Sequence, residues 1–213
     1  MKKHIVCFGD SNTHGYCADP IDCADGGNRF NEDERWTCLL QKFLGDEYLV
    51  IEEGLSGRTT VYNDPYHKGL SGLDSIAPCL LTHEPVDLLI IMLGTNDTKA
   101  RFHANAPCIS LGLQRLILEA KGTCAWNGGK PNILIISPPH IHEEFNDPYM
   151  GDGCIEKSRE LAKYYQNVCM SNGCAFLDAE GVAEFNQKDH MHLNKKGHSD
   201  LAAKLCEIVS KLV

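Results

Sequence analysis

The chain leaves its first apolar run through a turn at residues 5–12, IVCFGDSN. Four apolar residues in succession are typical of a strand that is buried on both faces of a sheet. Gly9 and Asp10 favour a turn directly after this strand, so Ser11 lies where the strand ends. A serine hydroxyl attacks an ester only if a base, a group that orients the base and donors for the oxyanion lie nearby.

Three later stretches can supply these groups. Residues 56–58 (SGR) and 94–97 (GTND) each follow an apolar run, and residues 189–192 (DHMH) lie near the C-terminus. In the last stretch Asp189 and His192 are three residues apart, so one loop can bring both to the same serine. Each motif alone is most often a turn or a helix cap. Together, at the ends of successive strands, the motifs indicate a hydrolytic site.

Apolar strands alternate with amphipathic helices along the chain, which predicts one parallel sheet covered by helices on both faces. The strand patterns lie at residues 5–8, 48–51, 86–93, 132–136 and 175–177, and helical patterns begin near Trp36, Pro107 and Ile155 and after Asn194. We therefore expect an α/β fold, a three-layer α/β/α sandwich with a five-stranded parallel sheet, formed by residues 1–213 as a single domain. Ligands of such sheets bind outside the carboxyl ends of the strands, where all four motifs should lie.

The composition and net charge argue against some classes of binding partner. With 20 Lys and Arg against 29 Asp and Glu, the net charge is -9 and no basic run occurs. We therefore expect a small-molecule ester as substrate, and neither nucleic acid nor a membrane as partner. No apolar run reaches the length of a signal peptide core or a transmembrane helix. The eleven cysteines include no Cys-x-x-Cys pair, so we expect reduced thiols and a cytoplasmic location.

The four motifs, in this order, resemble the four sequence blocks of the SGNH, or GDSL-type, hydrolases. Within that family the chain is most similar to the bacterial arylesterase and acyltransferase branch, on residues 35–37 (RWT), 52–60 (EEGLSGRTT) and 90–99 (IIMLGTNDTK). The resemblance implies a flavodoxin-like SGNH hydrolase fold. It also implies a serine esterase that hydrolyses short-chain carboxylic esters, such as aryl or alkyl acetates, through an acyl-enzyme, with acyl transfer to alcohols as a further activity. No metal or organic cofactor is implied, and the branch suggests a homo-oligomer.

The resemblance also assigns the catalytic groups. Ser11 is the expected nucleophile, His192 is the expected general base, and Asp189 is expected to orient the imidazole of His192. The backbone N–H groups of Ser11 and Gly57 and the side-chain amide of Asn96 are the expected oxyanion-hole donors.

Two residues beside the nucleophile, Asn12 and His14, are expected to bind substrate. His14 is a departure from the branch, whose members carry an aromatic residue there. Gly57 also departs from the branch, whose members tend to have alanine at this position. Glycine still offers a backbone donor.

Several alternatives remain open. A carbohydrate O-acetyl esterase would use the same machinery and differ only in loops at residues 14–35, 61–70 and 140–152. A lysophospholipase or lipase would need a long apolar segment to shelter a fatty acyl chain. A metal-dependent hydrolase would use Asp189, His190 and His192, with Asp10 as a further ligand. A non-catalytic binding protein of this fold would be expected to have lost a reactive residue, and none is lost.

Overall fold

The computed structural model describes residues 1–213, and its centre is a parallel sheet of five strands. The strand order is β2-β1-β3-β4-β5. Every neighbouring pair is parallel, which confirms the prediction from the alternating pattern. The strands are β1 (Lys3–Gly9), β2 (Tyr48–Gly54), β3 (Leu88–Met92), β4 (Ile133–Ser137) and β5 (Ala175–Asp178).

Six α-helices connect these strands or follow them. They are α1 (Ser11–His14), α2 (Trp36–Leu44), α3 (Gly72–Thr82), α4 (Ala106–Lys121), α5 (Cys154–Asn172) and α6 (Lys195–Leu212). The sequence pattern predicted α2, α4, α5 and α6 close to these bounds. It did not predict α1, because a four-residue helix is too short to show an apolar period.

The helices lie on both faces of the sheet, as predicted. Side chains of a strand alternate between its two faces, and the buried residues accordingly form two clusters. On one face Phe8 and Ile91 pack with helices α3, α4 and α5. On the other face Cys7 and Ile90 pack with α2 and α6. The architecture is therefore a three-layer α/β/α sandwich.

All eleven cysteines are free thiols. Five are buried, four are partly buried, and Cys108 and Cys124 are exposed. None of the helices combines the length and the apolar character that crossing a lipid bilayer requires.

Candidate active site

The turn after β1 is shaped by two glycines, Gly9 and Gly54, that have no room for a side chain. Gly54, at the end of β2, lies against the last two residues of α1: a Cβ atom there would be 2.2 Å from the His14 nitrogen. A Cβ atom at Gly9 would be 2.0 Å from Thr13 Oγ1. Asp10 caps α1, since its carboxylate accepts a hydrogen bond of 3.0 Å from the Asn12 N–H. These contacts hold Ser11 at the first position of α1, beyond the carboxyl end of the sheet.

Ser11, His192 and Asp189 form a hydrogen-bonded chain. The distance from Ser11 Oγ to His192 Nε2 is 2.9 Å, and His192 Nδ1 lies 2.6 Å from Asp189 Oδ2. Ser11 and His192 are buried and Asp189 is partly buried. In this arrangement the Ser11 hydroxyl can pass its proton to the imidazole, and the carboxylate can stabilise the imidazolium that results.

The Asp189 carboxylate is held in its charged form. Burial alone would raise its pKa, but the hydrogen bond to His192 and the charge of that imidazole lower the pKa to about 2. The second carboxylate oxygen accepts from the backbone N–H groups of Met191 and His192 and from the Asn186 side chain, at 2.8 to 3.2 Å. The Asp189 carboxylate is therefore ionised at neutral pH.

Asn186 organises this loop, and the sequence analysis did not identify it. Its side-chain N–H₂ donates to Asp189 Oδ1 and to the His192 carbonyl, both at 2.8 Å. Its side-chain oxygen accepts from the N–H groups of Lys188 and Asp189. An asparagine three residues before an aspartate in a polar stretch is a signal for such a side-chain-bonded turn.

Asn12 joins the two catalytic segments. Its side-chain oxygen accepts from the Leu193 N–H at 2.9 Å, and its N–H₂ donates to the Met191 carbonyl at 3.3 Å. Both polar atoms are thus used within the protein, and Asn12 does not line the cavity. The Asn12 amide ties the His192 loop to the Ser11 turn, and the substrate contact expected for this residue stays a prediction.

His14 also lies off the cavity wall. It is the last residue of α1, on the side of that helix that packs against Gly54. Burial and the neighbouring Arg29 lower its pKa. This placement differs from the expected substrate contact, because α1 completes one turn between Ser11 and His14 and carries His14 away from the cavity.

Three hydrogen-bond donors converge beside Ser11. The Ser11 N–H is at the first position of α1 and has no acceptor within that helix. The Gly57 N–H makes no backbone hydrogen bond in the protein, and the residue has a φ of 87° that favours glycine. The Asn96 N–H₂ donates to the Arg58 carbonyl at 3.2 Å and to Asp10 at 3.4 Å. Ser11, Gly57, Asn96 and His192 line the same cavity, which brings the predicted oxyanion donors together.

Arg58 positions the Gly57 turn, and the sequence analysis treated it only as part of a motif. Its guanidinium donates to the carbonyl of Gly9 at 2.9 Å and to the carbonyl of Glu53. The same group lies 4.0 Å from the centre of the Phe8 ring. Arg58 therefore ties the Gly57 turn to the carboxyl ends of β1 and β2.

Two buried carboxylates, Asp97 and Asp10, accept hydrogen bonds that stabilise the motif segments. Asp97 accepts hydrogen bonds from the Thr60 N–H at 2.9 and 3.1 Å, which joins the Asn96 stretch to the residues after Gly57. Burial raises the pKa of Asp97 to about 6. Burial likewise raises the pKa of Asp10 to about 6, against the opposing effect of its hydrogen bond from Asn12.

The cavity above these groups is large, and most of the residues that line it are polar. Its volume is about 1070 Å³, and seven of its 24 lining residues are hydrophobic, three of which are tyrosines. The imidazole of His192 packs against one of these tyrosines, Tyr16, with ring centres 4.6 Å apart. A cavity of this size admits a whole small-molecule ester together with its alcohol portion.

The alternative metal set is not assembled. Asp189 and His192 are hydrogen-bonded to each other, and Asp10 caps α1. His190 has a φ of 58° and lies beside His142 and Glu144 instead. The left-handed backbone at His190 turns this side chain away from its two neighbours in the motif, so Asp189, His190 and His192 do not share one ligand position.

Comparisons with known proteins agree with this geometry. The sequence model of the GDSL-like lipase/acylhydrolase family matches residues 7–199. The aryl esterase of M. smegmatis is 36% identical, with a TM-score of 0.90, and the match covers 99% of this chain and 100% of that one. A carbohydrate acetylesterase from Sinorhizobium meliloti is 32% identical, with a TM-score of 0.89 and 100% of both chains covered.

A second carbohydrate acetylesterase family member from Sinorhizobium meliloti is 34% identical over 99% of this chain and 98% of that one, with a TM-score of 0.87. None of the curated proteins compared matches the chain. The family match spans all four motifs, and the solved structures share the whole sheet and its helices. This chain therefore belongs to the GDSL-like lipase/acylhydrolase family and is a carboxylic ester hydrolase.

Proposed function

We propose that this protein hydrolyses short-chain carboxylic esters, aryl and alkyl acetates among them, through a covalent acyl-enzyme on Ser11. The observation that carries the proposal is the continuous hydrogen-bonded chain from Ser11 Oγ through His192 to Asp189 at the cavity floor. The aryl esterase from M. smegmatis, similar over the whole chain, supports the same class of substrate.

The reaction proceeds in two halves. His192 Nε2 takes the Ser11 proton as the hydroxyl oxygen attacks the ester carbonyl, and the oxyanion that forms accepts hydrogen bonds from Ser11, Gly57 and Asn96. The imidazolium then protonates the leaving alcohol, and an acyl-Ser11 ester remains. Water activated by His192 attacks this ester, which releases the acid and restores the hydroxyl.

The open cavity also admits a second alcohol in place of water. We therefore propose acyl transfer to alcohols as a further activity, because an alcohol bound near acyl-Ser11 competes with water for the same base. Addition of a primary alcohol to the reaction should then yield a new ester at the expense of the free acid. Product analysis that finds only acid at every alcohol concentration would limit the enzyme to hydrolysis.

A second candidate substrate is a carbohydrate O-acetyl ester, and two exposed tyrosines at the cavity favour it. Tyr66 and Tyr149 line the cavity with 74% and 81% of their surface exposed. The Arg101 guanidinium lies 5.1 Å from the Tyr66 ring centre and donates to the backbone carbonyl of Tyr149. Flat rings at the mouth of a cavity with many polar lining residues suit the apolar faces of a sugar. The similar carbohydrate acetylesterases support this candidate.

A comparison of two acetates tests which alcohol the cavity prefers. We expect Tyr66→Ala and Tyr149→Ala each to lower kcat/KM for a peracetylated sugar up to about tenfold, since an aromatic contact contributes about 0.5 to 1.5 kcal/mol. The same variants should leave kcat/KM for phenyl acetate nearly unchanged. Met170→Ala, at an exposed position of α5, is the control variant. Equal losses on both acetates would argue against a sugar-binding role for the tyrosines.

A further inference from the structure

Three potential metal ligands meet at the cavity wall, outside the group formed by Ser11, His192 and Asp189. One ring nitrogen each of His142 and His190 and one carboxylate oxygen of Glu144 lie within 4.8 Å of one another. Two imidazoles and one carboxylate are a ligand set that zinc uses in proteins. We propose that His142, Glu144 and His190 bind a divalent transition-metal ion, with zinc as the ion that suits these ligands.

The backbone already holds the two histidines side by side. The His142 N–H donates to the His190 carbonyl at 3.2 Å, and the ring centres are 6.0 Å apart. Ligand atoms around a tetrahedral zinc ion lie about 3.4 Å from one another, given metal–ligand distances of about 2.1 Å. Glu144 is exposed on an irregular segment, so its side chain can rotate towards the two imidazoles.

The His190 ring has a nitrogen that the protein leaves unused. Its Nδ1 atom is buried and has no hydrogen-bond partner, although buried polar atoms are nearly always paired. An imidazole nitrogen with no partner is available to a metal ion. The nearby Arg159 guanidinium pairs with Glu143 at 2.9 Å, so its positive charge is offset beside the site.

The three ligands lie between two openings in the surface. Glu144 and His190 line the large cavity, whereas His142 and Glu144 line a smaller cleft of about 270 Å³. Solvent therefore reaches the ligand set from both sides, which gives an ion a route of entry.

A bound ion would connect two walls of the active site. His190 lies in the loop that carries Asp189 and His192, and His142 and Glu144 belong to the segment at residues 140–152. A cation held by all three residues ties this loop to that segment. Because the ion binds only the folded arrangement, it should raise the melting temperature by mass action. The proposal does not depend on which ester is the substrate.

Calorimetric titration with zinc tests the site. The protein should carry no affinity tag, should be stripped with a chelator and dialysed, and should have Cys108→Ser and Cys124→Ser, since these exposed thiols are competing ligands. We expect one zinc ion per chain and a melting temperature that rises with zinc concentration. His142→Ala should weaken binding by more than about 100-fold, because even the loss of a supporting residue lowers metal affinity by about 10- to 100-fold.

Two further variants keep the test decisive. His67→Ala removes an exposed histidine of the same cavity outside the ligand set and should bind zinc as the parent does. If His142→Ala lowers the melting temperature of the metal-free protein, Glu144→Gln tests the site instead, because it changes an exposed ligand. No zinc binding by the parent, or binding that both ligand variants retain, would overturn the proposal.

Discussion

Asn96 supplies the one side-chain donor of the proposed oxyanion hole, beside the backbone donors of Ser11 and Gly57. We expect Asn96→Ala to lower kcat by about 10²- to 10³-fold, which is the usual effect of removing one such donor. KM should change much less, because the donor acts on charge that develops only in the transition state. Steady-state kinetics on phenyl acetate would measure both quantities.

Asn105 offers the matched control for Asn96. It is an asparagine that caps α4 through a hydrogen bond of 2.9 Å from the Cys108 N–H, away from the cavity. Asn105→Ala should lower the stability by about 1 kcal/mol and leave kcat unchanged. If Asn96→Ala raised only KM, Asn96 would be a ground-state contact and not an oxyanion donor.

Single residues also show where sequence reasoning reaches its limit. The spacing of Asp189 and His192 and the position of Ser11 after an apolar strand made these residues candidates, and the resemblance to the SGNH hydrolases assigned their roles. The partners of Asn12 were not predictable in the same way. Asn12 bonds to residues about 180 positions away, and a single sequence shows no pattern for a contact between two loops. No pattern in the sequence therefore indicated that the Asn12 side chain joins the two loops.

Among the secondary-structure elements, the contact between β2 and α1 sets the position of Ser11. Gly54 has no room for a side chain, because a Cβ atom would meet the Thr13 carbonyl carbon at 2.5 Å and the His14 nitrogen at 2.2 Å. We expect Gly54→Ala to lower the free energy of unfolding by about 1 to 3 kcal/mol, as overpacking does. Because α1 must move, kcat should fall as well. Urea unfolding and kinetics on phenyl acetate would measure the two effects.

Gly27 is a suitable control for Gly54. It lies in an exposed loop, and the nearest atom to an added Cβ would be 4.0 Å away. Gly27→Ala should change neither stability nor kcat appreciably. A Gly54→Ala variant with parental kcat would show that α1 is not constrained by β2.

The contact between α6 and α2 predicts a dependence of stability on pH. His198 of α6 is fully buried and accepts a hydrogen bond from the Trp36 N–H at 3.2 Å, at the start of α2. Burial lowers its pKa to about 3, with a smaller contribution from the charge of Arg35. Between pH 6.5 and pH 3 the unfolded chain binds a proton at this residue and the folded chain does not. His198 therefore lowers the stability as pH falls, by about 1.4 kcal/mol per pH unit within that window.

His198→Asn should remove this dependence, because asparagine keeps a hydrogen-bond acceptor and does not titrate. The raised pKa values of Asp10 and Asp97 act in the opposite direction, since protonation of the folded state below about pH 6 stabilises it. Asp10 and Asp97 are present in both the parent protein and His198→Asn. The difference in stability between these two proteins therefore reports on His198 alone. Urea unfolding at pH 7, 6, 5 and 4.5 should show a smaller loss for the variant. If the free energy of unfolding fell equally with pH in the two proteins, His198 would not be neutral in the folded state.

For the whole molecule, the shape and lining of the cavity predict the size of the acyl group. Apart from three tyrosines, its hydrophobic lining consists of Ala100, Phe145, Met150 and Met191. This small apolar surface cannot shelter a fatty acyl chain. We expect kcat/KM to be highest for acetyl and propionyl esters of one phenol and to fall through butyryl and octanoyl to palmitoyl. One methylene in an apolar pocket changes the free energy by only about 1 to 3 kcal/mol, so the decline should steepen once the pocket is full. An optimum at octanoyl or beyond would favour a lipase or lysophospholipase.

The overall architecture was more predictable than the cavity. Nearly continuous apolar strands such as Leu88–Met92, alternating with helices, leave few arrangements other than a parallel sheet between two helical layers. The order of the motifs then placed the reactive residues at one edge of that sheet. The irregular segments at residues 16–33 and 140–152 have no period in sequence, so the exposed Tyr149 and the grouping of His142 with His190 were not predicted. Their positions depend on contacts between loops that only the folded chain brings together.

The central claim is that Ser11 forms the acyl-enzyme, and covalent labelling of the intact protein tests it most directly. An organophosphonate should add the mass of one phosphonyl group per chain, in parallel with the loss of esterase activity, because the activated hydroxyl attacks phosphorus as it attacks a carbonyl. Peptide mapping should place the added mass on Ser11, and Ser11→Ala should acquire no label and show no turnover. A label on another residue, or stoichiometric labelling of Ser11→Ala, would contradict the account.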